Sequence, residues 1–487
     1  MESLTSSGAA AASSPRPHVV LLASPGIGHL IPLAELARRL VAHHGLAATL
    51  VTFTDPSENS ASAILSSLRA AEVATVSLDD LPIDAAFKVD FADQIRRSIP
   101  HLRALLHSIS FSSGAPLAAL VPDFFCYEAL HLADELGVPG YIFYPTSLAA
   151  HVVMRRHVAV NGAATAAGEY HDLPDPLRLS DHVSLRRADI PGGFQDRTNP
   201  RFALLLDMGR RYRAAAGFLM ESTNADEVKQ DDDTLPPAYM VGPLVRLSDS
   251  DEDGGAAACL ALEWLDHQPT GSVVYVSFGS GGSLSVEQMA ELAAGIEDSG
   301  HRFLWVVRMP SLKGPYGMEM ESNNEGKDKL QDPLVWLPDG FMERTNGRGL
   351  VVPSWAPQVR VLSHRATAAF VSHCGWNSAQ ESMAAGVPMI AWPMYAEQRM
   401  NAAILSENVG VALRLRERPD DGLIPREEIA TALREVMEGE KGRAMRGRAR
   451  DVQEAAAQAW APEGSSRRKL EELAGEWKAT ALGRQKH

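Results

Sequence analysis

Cysteine is scarce: Cys126, Cys259 and Cys374 stand far apart in a chain of 487 residues, and none falls in a CxxC pair. Neither a disulfide framework nor a cysteine zinc site organises such a chain, and a reducing, cytosolic setting is the expectation. Basic residues are also in deficit, with 46 Lys+Arg against 61 Asp+Glu and a formal net charge of −15. Proteins that bind nucleic-acid backbones need a basic surface that displaces counterions, so no nucleic-acid partner is expected, and any anionic ligand must be held locally. No apolar run approaches the roughly 18 residues that a membrane span requires. The first 16 residues are Ala/Ser-rich and lack the basic and apolar blocks of a secretion signal, and no Asn-x-Ser/Thr triplet occurs anywhere. They read as a floppy tail on a protein with no membrane partner.

From Pro17 onward, short β-rich apolar runs alternate with segments of helical period, which is the mark of βα units around a parallel sheet. HVVLLA (18–23), ATLVTF (48–53), VATVSL (73–78), LAALVPD (117–123), GYIFYP (140–145) and FLMES (218–222) are the strands expected of a first α/β domain over 17–244. An acidic, Gly-bearing stretch within 245–260 has no hydrophobic period and reads as a linker. A second series follows over 261–462: SVVYVSFG, HRFLWVVR, GLVVPSW, AAFVSHCG, PMIAWP and GVALRL. The polar stretch between Met309 and Val335 is either disordered or a lid.

Three places carry chemistry. SPGIGH closes the first strand, with Gly26 and Gly28 permitting a sharp turn and His29 beside a helix expected to begin near Leu30. The helix dipole at that point favours a neutral imidazole, and the bland alternative is a satisfied turn histidine. GxGxxG is not matched, because Ile31 stands where its third glycine belongs, so a dinucleotide dehydrogenase loses its chief support. Asp123, at the end of LAALVPD, is either a helix cap or the carboxylate that orients His29. The third place is the 44-residue stretch from Trp355 to Gln398. There Trp355 offers an indole to stack on a base, and Gln358 a hydrogen-bonding amide. His373-Cys374-Gly375-Trp376 leads into a helix that Asn377 and Ser378 are expected to cap, while donating to phosphates. Glu381 lies one turn further on, facing ribose hydroxyls, and Glu397 and Gln398 follow a later strand. Phe124, Phe125, Phe143 and Tyr144 sit at strand ends, as an aromatic slot for a flat acceptor or as core.

The 355–398 stretch resembles, end to end, the signature box of plant family-1 UDP-dependent glycosyltransferases, and SPGIGHLIP, PDFF and VYVSFGSGG extend the likeness over nearly the whole chain from Pro17. VSFGSGG and AEQRMNA are most similar to the subfamily that glucosylates hydroquinone, monolignols and related phenols. The resemblance implies an α/β fold of GT-B type, two facing Rossmann-like domains with a last helix (463–487) crossing back to the first. It implies His29 as general base with Asp123 as partner, and Trp355 on uracil. It further implies Gln358 and Glu381 on ribose, Ser280, His373, Asn377 and Ser378 around the diphosphate, and Trp376, Glu397 and Gln398 on the sugar. Phe124, Phe125 and Phe143 would meet the acceptor. Trp at the twenty-second position of the box with Gln at its end goes with glucose donors, and these are Trp376 and Gln398; Glu397 stands where many members have Asp, with a longer reach. The implied donor is UDP-glucose, with no cofactor and no metal, acting in a monomer on a small aromatic acceptor to give a β-glucoside. The alternatives are a non-catalytic nucleotide-sugar-binding protein, which has no use for a His29–Asp123 pair, and a glycosyltransferase using another UDP-sugar or a non-phenolic acceptor, a lipid among them.

Overall fold

Strands that are apolar at every position must be covered on both faces, so the runs above belong inside layered sheets. The computed structural model describes residues 16–53, 59–78, 91–112, 116–164, 168–222, 235–245, 256–311, 316–318 and 332–484. In it β1 (His18–Leu22), β2 (Ala47–Thr52), β3 (Ala74–Ser77) and β4 (Leu117–Pro122) form a parallel sheet in the order β3-β2-β1-β4. β5 (Tyr141–Tyr144) continues it through single bridges, Leu120 to Gly140 and Asp123 to Phe143. β6 (Leu177–Arg178) and β7 (Ser184–Leu185) make a small antiparallel pair, after which β8 (Gly217–Met220) and β9 (Ala238–Met240) add to β5 in parallel. β9, in PAYMVG, is a strand that its short apolar run did not signal.

The second sheet contains β10 (Val273–Ser277), β12 (Arg302–Val307), β14 (Gly349–Pro353), β15 (Thr367–Ser372), β16 (Met389–Ala391) and β17 (Ala412–Arg414), all parallel, in the order β14-β12-β10-β15-β16-β17. β11 (Gly282–Leu284) pairs antiparallel with β13 (Tyr316–Met318), which lies in the stretch read above as either disordered or a lid. Most of that stretch, 312–315 and 319–331, lies outside the described residues, as do the tail up to residue 15 and linker residues 246–255. The end of the expected linker is helical, because Ala256–Asp266 already forms a helix.

Both sheets reverse strand order at one point, between β1 and β4 in the first and between β10 and β15 in the second. Such a switch point opens a crevice at the carboxyl ends of the strands, where open α/β sheets bind ligands. His29 follows β1, Asp123 follows β4, Ser280 follows β10 and His373 follows β15, the four strands that flank these two crevices.

The Ser465–Arg484 helix crosses back to the first sheet, burying Leu470, Leu473, Ala474, Trp477 and Ala481 among Val19, Leu21, Leu33 and Phe143. The spacing 470, 473, 474, 477, 481 puts all five on one stripe. Trp477 is 1% exposed, with its ring 5.2 Å from that of Tyr141, and Lys478 Nζ donates to the His44 carbonyl at 3.0 Å. Trp477→Ala should cost about 3–5 kcal/mol of stability in denaturant unfolding, whereas Leu482→Ala, at a side chain 45% exposed, should change it by less than about 0.5 kcal/mol.

Candidate functional site

After β1 the chain turns through Gly26, whose φ of 111° suits glycine alone, and the helix Ile27–His44 begins three residues earlier than its apolar period suggested. His29 therefore lies in its first turn. Asp123 follows β4, pinned by its own N–H to the Leu22 carbonyl at 2.8 Å. Its carboxylate has no exposed surface and serves both roles left open by the sequence. Oδ1 accepts from the Phe125 N–H at 3.1 Å, capping the turn Phe124–Ala129, and from Ser24 Oγ at 2.7 Å. Oδ2 faces His29 Nδ1 at 2.9 Å.

A carboxylate only accepts, so Nδ1 carries the proton and Nε2 is left as the basic atom of the ring. Burial works against the imidazolium, but the Asp123 charge and hydrogen bond, helped by the Glu397 carboxylate, outweigh it and raise the His29 pKa above 6.5. The carboxylate in contact pulls toward the charged ring, against the helix dipole that favours the neutral one. Ser24 went unread in the sequence. Its signal was available, since it is the first polar residue after β1, at a switch point.

Phe124 and Phe125 lie together, centroids 4.0 Å apart, and their rings stand 5.7 and 5.5 Å from His29. Tyr144 closes the row 5.0 Å from Phe124. Phe143 does not join them. It is 0% exposed, packed in the core under the C-terminal helix, because successive side chains of β5 point to opposite faces. Its place against an acceptor is withdrawn, and Tyr144 holds the site-facing register.

In the second sheet, Gly279 (φ 75°) turns the chain after β10 and leaves Ser280 exposed at the tip. His373, after β15, is wedged between two glycine turns: a Cβ on Gly279 would lie 2.6 Å from its ring, and one on Gly375 2.4 Å. Burial pushes its pKa down to about 4, so the ring is neutral. Gly375, with no side-chain cap, begins the helix Trp376–Ala385. Asn377 and Ser378 are thus inside the helix instead of capping it. Asn377 Nδ2 donates to the Gly28 carbonyl at 2.7 Å, next to His29. Ser378 Oγ accepts from Gln358 Nε2 at 2.9 Å, the same amide reaches Glu381 Oε2 at 2.6 Å, and the Tyr275 hydroxyl touches Gln358 Oε1 at 3.4 Å. Burial pushes Glu381 up to about 7. Tyr275, inside an apolar strand, gave no sign of this contact.

Trp355 stands 44% exposed beyond β14, an indole face available for stacking. Trp376 is different: its ring is buried and its N–H donates to the Glu221 carbonyl at 3.1 Å, so that donor is already committed to the amino-terminal half. Gln398 is buried, its Oε1 accepting from the Met394 and Tyr395 N–H groups at 2.9 and 3.0 Å. Among the described residues its amide N–H2 group is the end left to recognise a ligand. Glu397 is half-buried beside it and close enough to His29 and Tyr144 to bias both. Among the described residues no group of three or more His, Cys, Asp or Glu is placed to share a metal ion, and no helix is long and apolar enough to cross a membrane.

The family profile described as UDP-glucoronosyl and UDP-glucosyl transferase matches residues 257–449. A hydroquinone glucosyltransferase of Rauvolfia serpentina is 41% identical over 95% of this chain and 98% of its own length. Two solved structures superpose closely. UGT2 of Phytolacca americana, complexed with UDP-2-fluoro-glucose and pterostilbene, has a TM-score of 0.78 at 38% identity, covering 95% of this chain and 99% of that one. A Polygonum tinctorium UDP-glucosyltransferase capable of glucosylating indoxyl, in complex with 3,4-dichloroaniline, has a TM-score of 0.79 at 39% identity, with 96% and 99% covered. Identity of this order along nearly the full length of both partners means that the chain belongs to the plant family-1 UDP-dependent glycosyltransferases, inverting and metal-independent enzymes of GT-B fold.

Proposed function

We propose that this UDP-glycosyltransferase moves glucose from UDP-glucose to the hydroxyl of a small phenol, giving a β-O-glucoside. The observation that carries the reading is the His29–Asp123 pair at 2.9 Å, one residue from the bond joining Gly28 to Asn377. A base is thereby held beside the helix on which the diphosphate would rest.

In this reading Trp355 stacks on uracil, and Gln358 and Glu381 hold the ribose. Ser280, His373, Asn377, Ser378 and the first N–H groups of the Trp376–Ala385 helix surround the diphosphate. Glu397 and the free amide end of Gln398 face the sugar hydroxyls, with Trp376 as the wall behind them. The phenol lies against Phe124, Phe125 and Tyr144. Its oxygen attacks the anomeric carbon as the bond to the diphosphate breaks on the opposite face, and its proton passes to His29 Nε2. Asp123 stabilises the imidazolium so formed, and helix N–H donors meet the charge gathering on UDP. The glucosyltransferase named among the relatives supports both the donor and the phenolic acceptor class.

Four outcomes check this. With competing UDP-sugars and a panel of phenols, UDP-glucose should be consumed preferentially with UDP release; consumption of another UDP-sugar in its place overturns the donor assignment. His29→Ala should lose about 10²–10⁴-fold in kcat/KM while binding UDP as before in calorimetry. His29 must be unprotonated to act, so turnover should fall as pH drops below its raised pKa. Asp123→Asn removes the charge that raises it, so the acid limb of the surviving activity should move to lower pH.

A further inference from the structure

Cys374, two residues beyond β15, has a φ of 62°, in the left-handed region that glycine adopts freely and other residues adopt at a cost. Such strain persists only where neighbours over-determine it, and it collects at working sites. Both ends of Cys374 are held. Its N–H donates to Ser372 Oγ at 3.1 Å, and its carbonyl accepts from Asn401 Nδ2 at 3.0 Å. Ser372 and Asn401 are both 0% exposed. Asn401 belongs to the Gln398–Ala403 helix, among buried Met400, Ala402 and Ala403, and its Oδ1 has no hydrogen-bond partner among the described residues. A leucine of similar size would leave no polar atom unpartnered there, so the bond to Cys374 is what asparagine adds at this position.

That bond aims the next peptide group. The peptide between Cys374 and Gly375 is planar and trans, so a carbonyl fixed on Asn401 turns the Gly375 N–H the opposite way. Gly375 is partly exposed and lies against His373, where an added Cβ would come within 2.4 Å of the ring Nε2. It starts the Trp376–Ala385 helix without a side-chain cap, and the first N–H groups of a helix have no partner within it. We propose that Asn401 is a positioning residue: by holding Cys374 left-handed it fixes the turn that offers these N–H groups to the diphosphate, and it ties that turn to the helix carrying Gln398. The inference rests on the reading of this groove as the UDP-sugar site. Freed from Asn401, Cys374 relaxes toward negative φ and the peptide leading into Gly375 turns with it. Trp355 and Gln358 follow a different strand, and Glu381 lies beyond Gln380, which anchors the helix to the Glu221 carbonyl. The nucleoside end therefore keeps its contacts, and the loss falls on the phosphates.

The test is calorimetric binding of UDP and of uridine to the full chain and to Asn401→Leu. UDP should bind roughly tenfold more weakly to the variant, the scale set by one relaxed left-handed residue, while uridine affinity stays within about twofold. Adding Cys374→Gly to Asn401→Leu should bring UDP binding back to within about threefold of the wild type, because glycine takes a φ of 62° without help. Ser372→Ala, which frees the Cys374 N–H at the other end, should show the same loss confined to UDP, and it serves in place of Asn401→Leu if thermal melts show that leucine does not pack. Undiminished UDP binding in the folded variant overturns the proposal. Equal losses for UDP and uridine, or no recovery with glycine, also overturn it, since either makes Asn401 merely a packing residue. A wild type that does not bind UDP overturns the site reading itself, a result distinct from the others.

Discussion

Two carbonyl oxygens of the amino-terminal half, those of Gly28 and Glu221, accept donors from Asn377, Trp376 and Gln380 on one helix of the other half. The working geometry of the groove depends on that joint. Consecutive Cα atoms are about 3.8 Å apart, so His29 stands one residue from the joint on one side and Ser378 one residue from it on the other. Two crevices built independently by two sheets are thereby brought into register. Farther out, Asp189 lies between Arg186 at 3.1 Å and Arg414 at 2.6 Å, and Arg186 reaches Glu407 at 2.6 Å, a second tie between the halves. Asp189 is buried while Arg186, Arg414 and Glu407 are partly exposed, so salt screens the outer Arg186–Glu407 pair most.

The groove treats its buried carboxyls unequally, and the difference is one of available donors. Asp123 has a hydroxyl, a backbone N–H and an imidazole N–H arranged around it, and it biases its histidine toward the charged form. Among the described residues Glu381 has the Gln358 amide alone, and Glu221 one backbone N–H with the charge of Arg39. In the proposed function a chain of net charge −15 would hold a diphosphate through helix N–H groups and the glycine turns at Gly279 and Gly375, which act locally, where the overall field matters little.

Most strands were legible because fully buried parallel strands leave uninterrupted apolar runs, and the box from Trp355 to Gln398 was legible because its polar residues interrupt such runs at strand ends. What sequence left hidden shares a cause: it depends on neighbours far along the chain. Phe143 and Tyr144 are adjacent aromatics, and only the pairing of β5 decides which faces the groove. Asn377 and Ser378 have the composition of caps, yet Gly375 starts the helix and frees both side chains for partners in Gly28 and Gln358. The direction of the His29 shift likewise turns on Asp123, 94 residues away. Glu221 gave no signal, since a glutamate after a strand reads as solvated until the other half closes over it.

The central claim is geometric: the base and the sugar donor meet across one groove, on opposite faces of the reacting carbon. A crystal structure of the chain with a non-transferable UDP-glucose analogue and a phenol tests it most directly. The account predicts the phenolic oxygen within roughly 2.6–3.2 Å of His29 Nε2 and in line with the anomeric carbon and the departing diphosphate oxygen, with uracil flat on Trp355. A phenol bound away from His29, or on the same face of the sugar as the diphosphate, would contradict it.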